Sequence, residues 1–334
     1  MNSETKLTAK NYATDQEVRW CPGCGDYAIL KAVQKTFADL ALNPDNTVVI
    51  SGIGCAARFP YYLETYGFHT IHGRAAAIAT GTKLANPDLD VWVVSGDGDA
   101  LSIGGNHFIH LLRRNLNLQF LLFNNEIYGL TKGQYSPTSR TGTISPSSPH
   151  GSSEKPVHAA SLTLASGGTF FARTTDVGVP HLIEILKEAR QHQGTSMIEI
   201  LQNCIVYNDA VHSKFTEKKH NADSCIFLSH GKPLIFGKDN EKGLRLNPKN
   251  LTIEVVYLTE TNPDSILVHD ETNLTLAEIL GRMDGSELPL ALGVLYRTAQ
   301  PVFESVERDI LPQQPPTLER VRDLLNAGST WTVE

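Results

Sequence analysis

VWVVSGDGDALSIGGNHFIHLLRRNLNLQFLLFNN, residues 91–125, is the stretch that decides the fold. Val91-Trp92-Val93-Val94 is a run of β-branched and aromatic residues and reads as a buried strand. It breaks into Gly96-Asp97-Gly98-Asp99. A helical segment follows, with Ile103, His107, Leu111 and Leu112 on one stripe. Arg113-Arg114 near its end suit the negative pole of a helix. Residues 118–123 form a second apolar run, the next strand, which stops at Asn124-Asn125. Asp97 and Asn125 are therefore expected at the carboxyl ends of neighbouring strands, the edge where open parallel sheets bind ligands.

The residue types at that edge suggest their chemistry. Gly96 and Gly98 let the backbone come close to a bulky anion, and the start of a helix offers it N–H groups. A diphosphate there needs a hard cation, and magnesium takes oxygen ligands such as the Asp97 carboxylate and the Asn125 amide. Alone, GDG is a tight turn and NN a strand end; joined as strand–GDG–helix–strand–NN they are far more specific. The arrangement resembles the diphosphate-binding motif of thiamine diphosphate enzymes, with the 25 residues 99–123 between its halves. That resemblance implies two magnesium ligands beside Asp97, the side chain of Asn125 and the backbone carbonyl of Ile127.

Working outward, residues 47–201 alternate strand and helix: strands at 47–50, 69–72, 91–94, 118–123, 169–173 and 196–201, helices at 74–85, 158–166 and 180–191. This alternation predicts an α/β fold, a parallel sheet with helices on both faces. Before it, residues 1–17 read as a loose arm, and Asp26 as the cap of a helix carrying Tyr27, Leu30, Val33, Phe37 and Leu40. Residues 126–156 are rich in Gly, Ser, Thr and Pro; a loop this long that starts at the expected metal site is read as functional. Beyond about 205 the chain turns polar, with a strand expected at 252–257 and helices at 274–283 and 318–325. We expect a cofactor domain over 1–205 and an extension, 206–334, wrapped against it.

With 334 residues, 41% of them hydrophobic, the chain is long enough for a large core. A net charge of −7 and the absence of any basic run argue against a nucleic-acid partner. The polar N-terminus lacks an apolar signal region, and no stretch approaches the roughly 18 apolar residues of a membrane span. The cytoplasm is the expected compartment.

Five cysteines, at 21, 24, 55, 204 and 225, make a poor disulfide framework. Cys21-Pro22-Gly23-Cys24 holds two thiolates close together; Cys55 and Cys204 each stand just past an expected strand. A redox dithiol needs only the first pair, and a zinc ribbon usually shows a second close pair. Four ligands gathered by the fold suit a 4Fe–4S cluster. Spacing alone leaves cluster and zinc both open.

Taken in order, WCPGCG, GIGC, GDG…NN and IEILQNC resemble the β subunits of the 2-oxoacid:ferredoxin oxidoreductases over residues 14–208, and LPLALGVLYRTAQPVFE resembles their tail. The resemblance implies that Cys21, Cys24, Cys55 and Cys204 hold one 4Fe–4S cluster, leaving Cys225 an ordinary thiol. It also implies thiamine diphosphate and magnesium as cofactors, and oxidative decarboxylation of a 2-oxoacid, or its reverse. Electrons go to ferredoxin and the acyl group to coenzyme A. A partner α subunit supplies the glutamate that activates the thiamine. His72-Gly73-Arg74 resembles the family's segment beside the diphosphate, and Tyr128–Gln134, with Gly129, Leu130, Thr131 and Lys132, its loop over the cofactor. Gly54 and Cys55 are expected to touch cofactor and cluster alike. The overall pattern is closest to the 2-oxoglutarate branch. A dicarboxylate needs a cation for its far end; Arg58 and Lys132 are the expected catalytic cations, with Arg140 a third candidate.

Overall fold

The computed structural model describes residues 7–310, 317–329 and 331. Its strands are Thr47–Ser51 (β1), Tyr66–His69 (β2), Asp90–Gly96 (β3), Leu118–Asn124 (β4), Ile127–Tyr128 (β5), Gln134–Tyr135 (β6), Phe170–Thr175 (β7), Thr195–Leu201 (β8), Cys225–Phe227 (β9), Ile235–Phe236 (β10), Lys242–Leu246 (β11), Ile253–Tyr257 (β12) and Leu290–Arg297 (β13). Its helices are Asp26–Asp39 (α1), Ala75–Ala85 (α2), Asp97–Leu101 (α3), Gly105–Arg114 (α4), Ala159–Ala165 (α5), Val179–Gln191 (α6), Ser213–Thr216 (α7), Lys218–Ser224 (α8), Leu274–Gly281 (α9), Phe303–Ile310 (α10) and Leu318–Asn326 (α11).

Eight strands make one sheet in the order β2-β1-β3-β4-β8-β7-β13-β9. The first six run parallel, so their connections must cross over the faces as helices. β1, β4, β7 and β8 are buried at every residue, as strands covered on both faces must be. Strand alternation divides the core. Trp92, Val94, Leu121 and Phe123 face α1 and α6; Val91, Val93, Phe120 and Leu122 face α2, α4, α5 and α9.

The expected parallel sheet with helices on both faces is present; residues beyond 205 extend it by β13, antiparallel to β7, and by β9. A short, uniformly apolar run such as 290–297 carries no period that identifies it as a strand. Two expectations are corrected. The helix after GDG is two helices: α3 is barely one turn, and the break leaves Ile103 exposed while Phe108 joins Leu111 and Leu112 in the core. The break is tight because a Cβ on Gly104 would fall 2.5 Å from the Asp99 carbonyl oxygen. Residues 1–6 of the supposed loose arm lie outside the described residues. From residue 7 the arm is anchored: Tyr12 is fully buried and its hydroxyl donates to the Leu42 carbonyl at 2.5 Å.

Candidate active site at the ends of β3 and β4

Asp97 follows directly from β3, and Asn125 from β4. The parallel β3–β4 register pairs Gly96 with Phe123, which brings both to one edge. Asp97 is only 2% exposed, and burial pushes its carboxyl up to about 6 against the pull of its hydrogen bonds. Its Oδ2 accepts the hydroxyls of Ser136 and Thr138, each at 2.5 Å. Asn125 donates to Gln202 Oε1 at 2.8 Å, and its Oδ1 accepts the Ile127 N–H at 3.2 Å. A buried carboxylate beside an oriented amide oxygen is a donor set that suits a hard cation.

Asp99 clamps the neighbouring turns. It accepts from Ser95 at 2.6 Å and from the Gly73 N–H at 2.8 Å, and lies 3.0 Å from His72 Nδ1. Gly52 must be glycine for this, since a Cβ there would fall 1.7 Å from Asp99 Oδ2. Tyr128 covers Gly98: its hydroxyl donates to the Gly98 carbonyl at 2.9 Å, and a Cβ on Gly98 would lie 2.2 Å from its ring.

His72, Asp97, Gly98, Asp99, Asn125, Ile127, Tyr128 and Gln202, with Gly54, Cys55, Leu130 and Thr131, line a space of only about 80 Å³. Ordinary ligand pockets run to roughly 300–1,000 Å³. The arrangement fits one half of a diphosphate-sized cofactor site. Arg74 starts α2 and lines neither this space nor the one beside it.

The adjoining cavity, about 220 Å³, is ringed by Cys21, Cys24, Cys55 and Cys204. A Cβ on Gly129 would lie 3.4 Å from Cys204 Sγ and 3.7 Å from Cys55 Sγ, so two of the sulfurs converge over bare backbone. Burial, followed by the negative charge of Asp26, raises the thiols of Cys24 and Cys55, the latter to about 12. Their ionisation therefore needs positive charge close by, as a metal centre supplies. Among the described residues no group of three or more His, Cys, Asp or Glu is placed to hold a metal ion. Four thiols around a cavity of this size have room for a multi-atom centre, and they fit a cluster. Cys225 lies apart, buried in β9 with its thiol against the Phe215 carbonyl at 3.6 Å.

Arg58 and Lys132 line the thiol cavity. Arg140 is drawn elsewhere, to Glu126 at 3.1 Å and the Val211 carbonyl at 3.0 Å. Sequence reasoning overlooked Ser136, Thr138 and Gln202. The first two lie in a serine–threonine loop with no signal for which hydroxyl turns inward; Gln202 had one in its place directly after a strand. Asp26 was misread: Gly25 is the N-cap, and Asp26 is 1% exposed in the wall of both cavities, pushed up to about 7 by burial and then by Asp176.

Residues 52–200 match the family model for the thiamine pyrophosphate enzyme C-terminal TPP-binding domain. The chain is 45% identical to the 2-oxoglutarate oxidoreductase subunit KorB of Mycobacterium tuberculosis over 97% of its own length and 88% of that protein. It is 51% identical to the β subunit of 2-oxoacid:ferredoxin oxidoreductase 1 of Aeropyrum pernix over 61% of its length and 64% of that protein. It superimposes with a TM-score of 0.76 and 31% identity, over 98% of both chains, on a chain of the 2-oxoglutarate:ferredoxin oxidoreductase from Magnetococcus marinus, solved with 2-oxoglutarate, coenzyme A and succinyl-CoA bound. With this fold, this diphosphate edge and relatives matched along nearly the whole chain, the protein belongs to the β subunits of the 2-oxoacid:ferredoxin oxidoreductases.

Proposed function

We propose that this chain is the β subunit of a coenzyme A-dependent 2-oxoglutarate:ferredoxin oxidoreductase. It catalyses oxidative decarboxylation of 2-oxoglutarate, or the reverse, with electrons leaving through a 4Fe–4S cluster. One observation carries the reading: Cys55 stands in the wall of both the GDG pocket and the thiol cavity. Bound thiamine diphosphate supplies the carbanion chemistry that cleaves the 2-oxoacid, and a 4Fe–4S cluster accepts electrons singly.

The chain's own contribution is positioning. Asp97, Asn125 and the Ile127 carbonyl would hold magnesium against the diphosphate, with Gly96 and Gly98 admitting it and His72-Gly73, braced by Asp99, beside it. Cys21, Cys24, Cys55 and Cys204 would hold the cluster. Arg58 and Lys132 would meet the far carboxylate of the substrate, because an unpaired carboxylate in a closed site is costly. The names of the relatives support 2-oxoglutarate over pyruvate.

An α subunit completes the site in this proposal. The small, partly open volume at GDG supports that, as do the exposed apolar side chains of Leu130, which lines it, and Ile71, next to His72 in its wall. Residues 1–205 carry every proposed cofactor ligand, and 206–334 is an extension that packs on them and completes their sheet with β9 and β13. Among the described residues no helix is long and apolar enough to cross a membrane. Five unpaired cysteines support a cytoplasmic setting. The test is turnover of the complex reconstituted with its α subunit, with 2-oxoglutarate, coenzyme A and ferredoxin. Preference for pyruvate would overturn the substrate.

A further inference from the structure

Gln202 lies directly after β8 and lines both the GDG pocket and the thiol cavity. It is 2% exposed. Its backbone N–H donates to the Asn124 carbonyl at 2.9 Å, which ties the end of β8 to the end of β4. Gly25 gives the side chain room, since a Cβ there would fall 2.9 Å from Gln202 Cγ.

Backbone groups at the two ends fix which way a pair of side-chain amides points. Asn125 Oδ1 accepts the Ile127 N–H at 3.2 Å, and an N–H can only donate, so the other end of that amide is its nitrogen. Asn125 Nδ2 donates to Gln202 at 2.8 Å, so Gln202 meets it with oxygen. Beyond it, Gln202 Nε2 donates to the Asn203 carbonyl at 2.6 Å, and a carbonyl can only accept. One amide hydrogen remains on Nε2, and Cys24 Sγ stands 3.3 Å away to receive it. The two amides form one polarised chain from the Ile127 N–H to the Cys24 sulfur.

Each end of the chain bears on a cofactor. An N–H donated to a cysteine sulfur stabilises negative charge there, and such bonds help set the reduction potential of an iron–sulfur centre. At the other end the Asn125 nitrogen is committed to Gln202, which keeps the oxygen of that amide for a hard cation. On the function proposed above, we propose that Gln202 is a positioning residue shared by both cofactors. Its Nε2–H raises the potential of the cluster through Cys24, and its Oε1 sets the Asn125 amide for magnesium.

The test uses the complex with its α subunit, purified without oxygen. The midpoint potential of the 4Fe–4S cluster is read by redox titration followed by electron paramagnetic resonance. Affinity for thiamine diphosphate with magnesium is read by calorimetry on the cofactor-depleted complex. Gln202→Met removes both donor and acceptor and adds no charge. Its potential should shift negative, and its cofactor affinity should fall about tenfold. Gln202→Glu keeps an oxygen for Asn125 and removes the N–H to Cys24. Its potential should shift negative while its cofactor affinity stays that of the unsubstituted complex. A residue that merely filled space would not separate the two readouts. An unchanged potential or an unchanged affinity in Gln202→Met would overturn the proposal. If Gln202→Met loses its iron, Gln202→Glu decides, and an unshifted potential there overturns it. An unsubstituted complex without iron or thiamine diphosphate would overturn the proposed function itself, and this role with it.

Discussion

Thr138 donates its hydroxyl to Asp97 Oδ2 at 2.5 Å and receives nothing from solvent, being 5% exposed. The same hydroxyl lies 3.0 Å from Asn124 Oδ1. The long loop after β4 is thereby tied to the proposed metal ligand and to the strand end that carries the second one. Through Asn124 and Glu199 the connection reaches Arg173 in the heart of the sheet.

Thr138→Val keeps the shape and removes the hydroxyl. A hydrogen bond to a charged group contributes about 1.5–3 kcal/mol. We expect magnesium-dependent thiamine diphosphate affinity to fall at least tenfold with the fold intact, measured by titration calorimetry. Asp97→Ala and Asn125→Ala should abolish it. Normal affinity in Asp97→Ala would remove Asp97 from the metal site.

Gly98→Ala places a methyl group 2.2 Å from the Tyr128 ring. Overpacking of that kind costs about 1–3 kcal/mol, here by lifting Tyr128 and its loop off the pocket. Thiamine diphosphate binding should weaken sharply. Gly98→Ala combined with Tyr128→Ala, which clears the space, should recover part of it.

Serine at Cys21, Cys24, Cys55 or Cys204 should each lower iron content, because thiolate is the matched ligand. Cys225→Ser should keep it, since that sulfur is buried in another part of the sheet. Iron lost in Cys225→Ser but kept in Cys204→Ser would mean that the fourth ligand is misassigned.

His192 and His212 are both held down to about 4, in each case chiefly by burial. A histidine depressed below its ordinary 6.5 stabilises the folded chain fully above that pH. The contribution is lost as pH falls towards 4, where the unfolded chain binds the extra protons. Urea unfolding should show lower stability at pH 4.5 than at 7.5. His192→Gln, which can still reach Thr169, should narrow the difference. An unchanged difference in this variant would exclude His192 as a source.

The diphosphate edge was legible because strand, GDG, strand and NN are local signals that the parallel register then joins. The four cysteines that ring one cavity were grouped by the sequence, but spacing left zinc and a cluster open, since Cys55 and Cys204 meet by topology and not by spacing. Thr138 and Ser136 were not legible: a serine–threonine loop gives no sign of which hydroxyl turns inward. Nor was β13, whose apolar run fits strand or helix equally. Asp26 misled because an acidic residue at a helix start ordinarily caps it in solvent, whereas here the helix begins inside the site.

The central claim is that one cysteine, Cys55, stands between a thiamine pocket and a cluster cavity in a chain that needs a partner to close its site. The most direct measurement is metal and cofactor content of the anaerobically purified complex with its α subunit, beside turnover of the chain alone. The account predicts about four irons per cluster-bearing chain, thiamine diphosphate retained with magnesium, and no turnover without the α subunit. Zinc in place of iron, or turnover by the isolated chain with 2-oxoglutarate, coenzyme A and an artificial acceptor, would contradict it.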